Sequence, residues 1–241
     1  MKKTAYRKFF AVLAAAVILS ANAADAQTVK HRSFAEQNLN RHYTSIAFGM
    51  GVNYVKNKSL DDYIGYELPN YNFLNDNLKL SEFRSGFDFF ISAERQIHRD
   101  FSLKAEYSYF LKSNKSDYYP EYSFNSSGHR LFASVNYLFP MEYAYFKLGI
   151  GGGGVFSSLT KSYGSLESDY TSTGLGIKAE GTFDLQIGNS MAVYLNGNIL
   201  NVFESGLKDS NGDELFNKSG GRVNLSGLSF GLQLGVEFFI F

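Results

Sequence analysis

The sequence contains no cysteine and no tryptophan, and only 3 of its 241 residues are proline. Without cysteine the chain has no disulfide scaffold, no thiolate metal site, no cysteine nucleophile and no acylated lipoprotein cysteine. It also lacks an excess of charge, because 23 Lys and Arg balance 23 Asp and Glu, which argues against a nucleic-acid partner. It has instead 23 Phe, 17 Tyr and 23 Gly. That composition is typical of β-structure rather than disorder.

The first 26 residues differ from the rest of the chain. Residues 1–8 carry four bases and no acid, residues 9–19 form an unbroken apolar run, and A-x-A sequences end at Ala23 and Ala26. This order is typical of a secretory signal peptide, whose apolar core is shorter than the ~20 residues of a transmembrane helix. We predict a signal peptide over 1–23, with cleavage after Ala26 as the alternative, and a polar periplasmic segment over 24–42. The exported chain then has 19 bases and 23 acids.

From residue 43 onward, apolar and polar residues alternate in eight segments. Alternation over this length predicts half-buried β-strands. We place strands at about 43–55, 84–96, 101–112, 127–139, 143–156, 172–187, 191–202 and 225–241. In the seventh segment the alternation slips near Leu200, as it would at a bulge.

The charged residues of these segments fall on the polar face. The exception is Arg95, at a strand end, where a charge facing lipid costs only ~0–1 kcal/mol. An apolar face that excludes charge is what a lipid-facing surface requires. The opposite, lumen-facing rows then carry a network of twelve charges: Arg84, Asp88, Glu94, Lys104, Glu106, Lys112, Arg130, Lys147, Lys178, Glu180, Asp184 and Glu237.

The connectors alternate in length. Short turns follow the second, fourth and sixth strands, whereas roughly 14 to 28 residues join the others. Such long connectors count against a compact soluble domain but are typical of outer-membrane barrels. We therefore predict an all-β fold, an antiparallel up-and-down transmembrane β-barrel of eight strands over 43–241. Its short turns would be periplasmic and its long loops extracellular, in the outer membrane of a Gram-negative cell.

In these features the chain resembles the small outer-membrane β-barrels of the OmpA/OmpX/OmpW-like class. The resemblance covers nearly all of the mature chain and concerns architecture, not activity. It implies that the aromatic last strand, with Phe239 and Phe241, is the signal for the barrel-insertion machinery. Both residues alternate in step with Glu237, however, and so fall on the polar face of the strand rather than on the lipid-facing one. It also implies outer-membrane lipid and lipopolysaccharide as partners. The rival architecture is a soluble lipocalin-like cup with its apolar face inward.

An eight-stranded barrel is just wide enough for side chains to fill its lumen, and charges confined there must pair. We expect a salt-bridge plug in which Lys104, Lys147, Lys178 and Arg130 face Glu106, Glu180, Asp184 and Glu237. The protein would then act structurally or through its surface loops, without enzymatic activity and without a cofactor. The alternatives are a narrow channel for small or apolar solutes and a lipid-modifying enzyme.

Catalytic and metal motifs are weak. Ser127 and His129 share one face near a strand end, as a lipid-modifying hydrolase would need, but no acid shares that face nearby. Asp61 and Asp62 resemble the paired acids of outer-membrane proteases, which have ten strands and an Asp–His partner. Weak metal candidates are Asp209, Asn211 and Asp213, which open a calcium-loop pattern that Glu214 and Gly220 then break.

Two further patterns have structural interpretations. The glycine run 151–154 lies within a strand, so we interpret it as close packing in the lumen or strong strand coiling. Tyrosines cluster in the first two long connectors, where they suit either recognition or an outer aromatic girdle: Tyr63, Tyr66, Tyr71, Tyr118, Tyr119 and Tyr122.

Overall fold

The structure is a computed structural model that describes residues 43–67, 85–115, 122–141, 143–188, 190–217 and 219–240. All of these lie in one compact unit, residues 34–241. The predicted signal peptide, the polar segment over 24–42, Arg84 and Phe241 lie outside the described residues. Among the helices in the described part of the chain, none is long and apolar enough to cross a membrane.

The barrel has eight strands in up-and-down order, as predicted. Each strand pairs antiparallel with its neighbours in sequence, and β1 pairs with β8 to close the barrel. The elements are β1 (Thr44–Lys56), α1 (Lys58–Glu67), β2 (Ser85–His98), β3 (Phe101–Lys115), β4 (Tyr122–Pro140), β5 (Ala144–Tyr163), β6 (Leu166–Gln186), β7 (Met191–Glu204) and β8 (Gly227–Ile240). Thr44, the first residue of β1, and Ile240, the last residue of β8, pair with each other at one end of the barrel. We call this end the turn end and the opposite end the loop end.

Side chains alternate between the lumen and the exterior along every strand, because successive Cβ atoms of a strand point to opposite faces. In β3, for example, residues 102, 104, 106 and 108 are buried while the intervening positions are largely exposed. The exposed rows are apolar, with Met50, Ile150 and Leu232 each more than 60% exposed. The polar face is therefore inside, and the soluble cup with an apolar interior is wrong.

Two details of the strand predictions are wrong. Strands β5 and β6 continue past the expected loop and meet in a two-residue turn at Gly164 and Ser165, where Gly164 has a φ of 57° that favours glycine. In β7 the pairing with both neighbours is continuous and the alternation does not slip. Leu200 and Val202 point into the lumen, where they pack against Phe132 and Val155.

A separate apolar core covers the loop end of the barrel. Asn57 directly precedes helix α1, and its side chain accepts a hydrogen bond of 2.9 Å from the backbone N–H of Leu60, an N-cap interaction. Leu60, Tyr63 and Ile64 then lie on one face at helical spacing. We call the buried residues that meet there the cap cluster: Leu60, Tyr63, Ile64, Tyr122, Phe124, Leu159, Leu207 and Val223.

The segment between β7 and β8 contributes the other side of the cap. It folds back on itself with backbone hydrogen bonds from Leu207 to Val223, from Leu215 to Leu207 and from Val223 to Leu215, each of 2.8 to 2.9 Å. A further pair joins Lys208 to Thr171 of β6. These bonds fix the segment over the barrel mouth, so Leu207 and Val223 can meet the apolar face of α1.

The predicted roles of the loop tyrosines are wrong where the structure describes them. Tyr63 is 2% exposed and Tyr122 is 9% exposed, both within the cap cluster. They therefore form neither a recognition surface nor a girdle facing lipid. Tyr66 has no described side chain, and Tyr71, Tyr118 and Tyr119 lie outside the described residues.

Candidate functional site in the barrel lumen

The lumen holds the buried charges. The structure describes eleven of the twelve predicted lumen charges, all but Arg84, and each is at most 8% exposed. The strands bring them to three levels, which we describe from the turn end upwards.

Lys147 of β5 forms the centre of the first level. Its Nζ lies 2.7 Å from Asp184 Oδ2, 3.0 Å from Glu94 Oε2 and 3.3 Å from Glu237 Oε1. Hydroxyl groups add hydrogen bonds: Tyr43 and Ser102 donate to Glu94 at 3.1 and 2.7 Å, and Ser45 donates to Glu237. We call Lys147, Glu94, Asp184 and Glu237 the Lys147 layer.

The second level is a closed ring of two lysines and two glutamates. Lys104 lies 2.6 Å from Glu180 and 3.3 Å from Glu106, and Lys178 lies 2.9 Å from Glu106 and 3.1 Å from Glu180. Ser134 and Asn196 donate further hydrogen bonds to Glu180, at 2.9 and 3.1 Å. We call these four residues the middle ring. Its charges balance, so each ammonium is held between two carboxylates.

At the third level, nearer the loop end, the charged side chains of Asp88 and Arg130 contact an amide and an aromatic ring. Gln233 donates a 2.8 Å hydrogen bond to Asp88, and the Arg130 guanidinium lies over the Phe110 ring at 4.4 Å from its centroid. Among the described residues no carboxylate lies within 4.0 Å of Arg130, so the predicted pairing of Arg130 with an acid differs from the structure. Arg130 and Lys112 line a cavity of about 40 Å³ beneath α1.

Aromatic and aliphatic side chains pack around these levels, and the sequence prediction missed them. Tyr194 packs against Phe90 at a centroid distance of 5.2 Å, beside the first two levels. At the turn end Tyr43 packs edge-on against Phe239 at 5.3 Å, in a cluster with Leu138 and Ala192. In the sequence, Phe90 and Phe132 already fall on the polar face of their strands, which indicates that their side chains point into the lumen.

Ser127 and His129, the weak catalytic candidates, have no hydrogen bond to each other among the described residues. His129 faces outward, and its Nδ1 is 2.8 Å from the hydroxyl of Tyr107, while the Tyr109 ring packs on it at 4.8 Å. The imidazole is thus held by two tyrosines of β3. This arrangement is that of an aromatic girdle position rather than of a general base.

The acidic pattern at Asp209 uses its carboxylate for its own turn. Asp209 Oδ1 accepts hydrogen bonds of 2.9 Å from the backbone N–H groups of Asn211 and Asp213. Gly212, at φ 88°, closes the turn. In the part of the chain that the structure describes, no group of three or more His, Asp or Glu side chains is placed to hold a metal ion.

The glycines of β5 explain how the β4–β5 pair is packed. A Cβ atom on Gly153 would lie 1.9 Å from the backbone oxygen of Leu131, and one on Gly149 would lie 2.0 Å from Asn136 Oδ1. Both positions face the lumen. Their close contacts agree with the interpretation of residues 151–154 as a tightly packed stretch rather than a phosphate-binding loop.

Phe239 has a regular place in β8. The pairing of β8 with β1 is continuous through Phe239 and Ile240, and the Phe239 side chain is 5% exposed on the lumen side. The regular alternation of β8 therefore explains why Phe239 lies on the same face as Glu237, without an irregularity at the end of the strand. Its proposed part in barrel insertion stays a prediction.

Comparison with known proteins supports the fold. No family model matches the sequence, and no curated protein matches it significantly. A major outer membrane protein of Thermus thermophilus is similar in structure, with a TM-score of 0.50, 11% identity, and 82% of this chain and 99% of that chain covered. Ail of Yersinia pestis, solved with a heparin analogue, has a TM-score of 0.48 at 11% identity, covering 83% and 99%. Neisserial surface protein A has 0.46 at 14% identity, covering 81% and 96%.

The fold and the distribution of side chains define the class of protein. A closed antiparallel barrel with an apolar exterior and a charged interior is built to have lipid as its outer solvent. The chain is an eight-stranded outer-membrane β-barrel, and its location is the cell outer membrane. At these levels of identity the similarity concerns the fold and not an activity.

Proposed function

We propose that this barrel is non-conducting and non-enzymatic, and that it acts structurally or through the surface of its loop end. The observation that carries the proposal is the succession of closed levels along the lumen. The cap cluster lies over one end, the middle ring and the Lys147 layer fill the interior, and Tyr43 with Phe239 closes the other end.

One cavity of the lumen lies just below the cap. The cavity between Arg130 and α1 measures about 40 Å³, which is room for ~3 water molecules. Below it, the side chains of the middle ring meet from opposite sides of the lumen at ion-pair distance. A solute crossing the barrel would have to separate these pairs and displace the cap, and a buried charge left without its partner costs about 3–5 kcal/mol.

The loop end offers the surface through which the protein would interact. The turn between β5 and β6 presents Leu166 at 68% exposure beside Tyr163, and the β7–β8 segment presents Phe216 at 51%. These exposed apolar side chains are the contacts that we propose for a partner at the loop end. Outer-membrane lipid, lipopolysaccharide and the insertion machinery remain the partners that we propose.

The channel alternative is tested by planar-bilayer conductance of the purified barrel, with an open porin as the positive control. We expect no reproducible steps from the unmodified protein. Steps of defined size that change in the variant Glu180→Gln would show that ions pass the middle ring, and would refute the proposal.

The enzymatic alternative is tested by mass spectrometry of lipid A from cells with and without the protein. We expect identical lipid A species in both. A deacylated species that disappears in the variant His129→Ala would refute the assignment of His129 to the aromatic girdle.

A further inference from the structure

The Lys147 layer contains more negative than positive charge. Three carboxylates, those of Glu94, Asp184 and Glu237, surround one ammonium at 2.7 to 3.3 Å. All four residues are at most 4% exposed. Among the described residues, two negative charges are therefore uncompensated in a buried part of the lumen, where an isolated carboxylate is strongly disfavoured.

Among the described residues, no neighbouring element supplies the missing positive charge. The ionisable or polar groups of the described chain that face the layer come from six places: Tyr43 just before β1 and Ser45 in β1, Ser102 and Lys104 of β3, Asn136 of β4, Tyr145 of β5, Thr182 of β6 and Tyr194 of β7. Of these only Lys104 is a cation, and it is already held by Glu106 and Glu180 in the middle ring. The two levels thus differ sharply: the middle ring is neutral and the Lys147 layer is not.

We infer that the Lys147 layer is a proton-binding site, in which the carboxyl group of Asp184 holds a proton at neutral pH. Two carboxylates within ion-pair distance of the same ammonium lie close to each other, and such a pair releases its two protons in separate steps. One proton lowers the excess from two negative charges to one, and a proton is small enough to bind without displacing Lys147.

The hydrogen bonds and the burial of the three carboxyl groups indicate which of them holds the proton. Glu94 accepts from two hydroxyl groups in addition to Lys147, which suits a charged carboxylate. Asp184 is 0% exposed, and its Oδ1 is a buried atom without a hydrogen-bond partner among the described residues, as is Oε2 of Glu237. Asp184 is the more deeply buried of the two, so its Oδ1 is the position at which a proton removes a buried, unpartnered charge.

A metal ion does not fit the layer equally well. The described residues contain no group of carboxylate and imidazole side chains that converges on an empty point. The point on which Glu94, Asp184 and Glu237 do converge is occupied by Lys147 Nζ.

Infrared spectroscopy of the full mature chain in lipid vesicles tests the proposal, because a protonated carboxyl group has a carbonyl stretch that carboxylates lack. At neutral pH in sodium-containing buffer we expect such a band, shifted when aspartate and glutamate are labelled with ¹³C. The variant Asp184→Asn, which removes one of the competing charges, should lose the band entirely. Native gel mobility before and after heating verifies that each variant is folded.

The middle ring provides the matched control. Glu180→Gln removes a buried carboxylate of the same lumen but from a neutral group, so it should leave the band unchanged. A band that is absent from the unmodified protein would overturn the proposal, and would point to a bound sodium ion if it appeared on replacing sodium by a bulky organic cation. A band that survives in Asp184→Asn, or one that is lost in Glu180→Gln, would also overturn it.

Discussion

The ion pair between Lys104 and Glu180 permits a quantitative test of how the lumen is stabilised. The two groups lie 2.6 Å apart and are 2% and 1% exposed in their side chains. We consider three variants: Lys104→Met, Glu180→Gln, and the double variant that carries both substitutions. Met and Gln keep much of the original volume, so the comparison concerns charge rather than packing.

Coulomb attraction at 2.6 Å amounts to about 6 kcal/mol at an effective dielectric constant of about 20. Part of this is offset by the desolvation of both ions, and removal of one partner of a buried pair typically costs about 3–5 kcal/mol. Each single variant should lose that amount of unfolding free energy, because it leaves the middle ring with three charges. The double variant keeps the neutral pair of Lys178 and Glu106 at 2.9 Å, so it should lose less than either single variant.

The assay is urea-induced unfolding of the barrel in lipid vesicles, followed by circular dichroism and by gel mobility without heating. The coupling energy of the double-mutant cycle is expected to be at least ~3 kcal/mol in the stabilising direction. If the double variant is as unstable as the sum of the two single variants, the middle ring does not act as a charge-balanced unit. A single variant without any loss would show that water reaches the ring.

Three further predictions concern packing, the lipid-facing surface and the cap, and all use the same unfolding assay or limited proteolysis. Gly153→Ala should cost about 1–3 kcal/mol through overpacking, whereas Gly154→Ala, whose added Cβ meets only a ring at 3.6 Å, should be nearly neutral; equal losses would contradict the lumen contact. Ile150→Arg, in the middle of the apolar belt and 65% exposed, should cost about 2–4 kcal/mol. Leu166→Arg, 68% exposed at the hairpin tip, should cost almost nothing, and a similar loss at both sites would argue against lipid as the outer solvent. Leu60→Asp should release the cap, so that proteases cut within 205–226 many times faster than in the unmodified chain; unchanged cutting would mean that the cap cluster does not hold this segment.

The alternation of residues predicted the strands well because the membrane imposes it. Wherever one face meets lipid and the other meets a packed polar lumen, each residue is sorted by polarity and the pattern is strict. Beyond the membrane both faces of a strand contact water or protein, so the outer halves of β5 and β6 lose the pattern although their backbone pairing continues. The sequence interpretation therefore placed a loop where the chain forms a hairpin.

The lumen network was predictable in its members but not in its partners. Lys104 and Glu106 stand two residues apart on one face, so their contact follows from the strand itself. Lys147 meets Glu94 across the lumen, 53 residues away in sequence, and that contact depends on the stagger of the closed barrel. Arg130 contacts Phe110 rather than an acid, which charge counting could not indicate.

The cap was missed although its helix has recognisable features. Asn57 is a good N-cap residue, and Leu60, Tyr63 and Ile64 have helical spacing. Ten residues are too few for a stable isolated helix, and the partners that bury its face come from β4, β5 and the β7–β8 segment. The helix is formed by its tertiary contacts, which lie far away in sequence.

The packing of Tyr43 against Phe239 also constrains the order in which the molecule is completed. The two rings stand at opposite ends of the chain, one just before β1 and the other near the end of β8, and they meet only when β1 and β8 pair. Until then both strands have an unpaired edge, which a bilayer does not tolerate. The step that joins the first strand to the last therefore also seals the floor of the lumen, and a half-assembled barrel would be open both at its side and at its base.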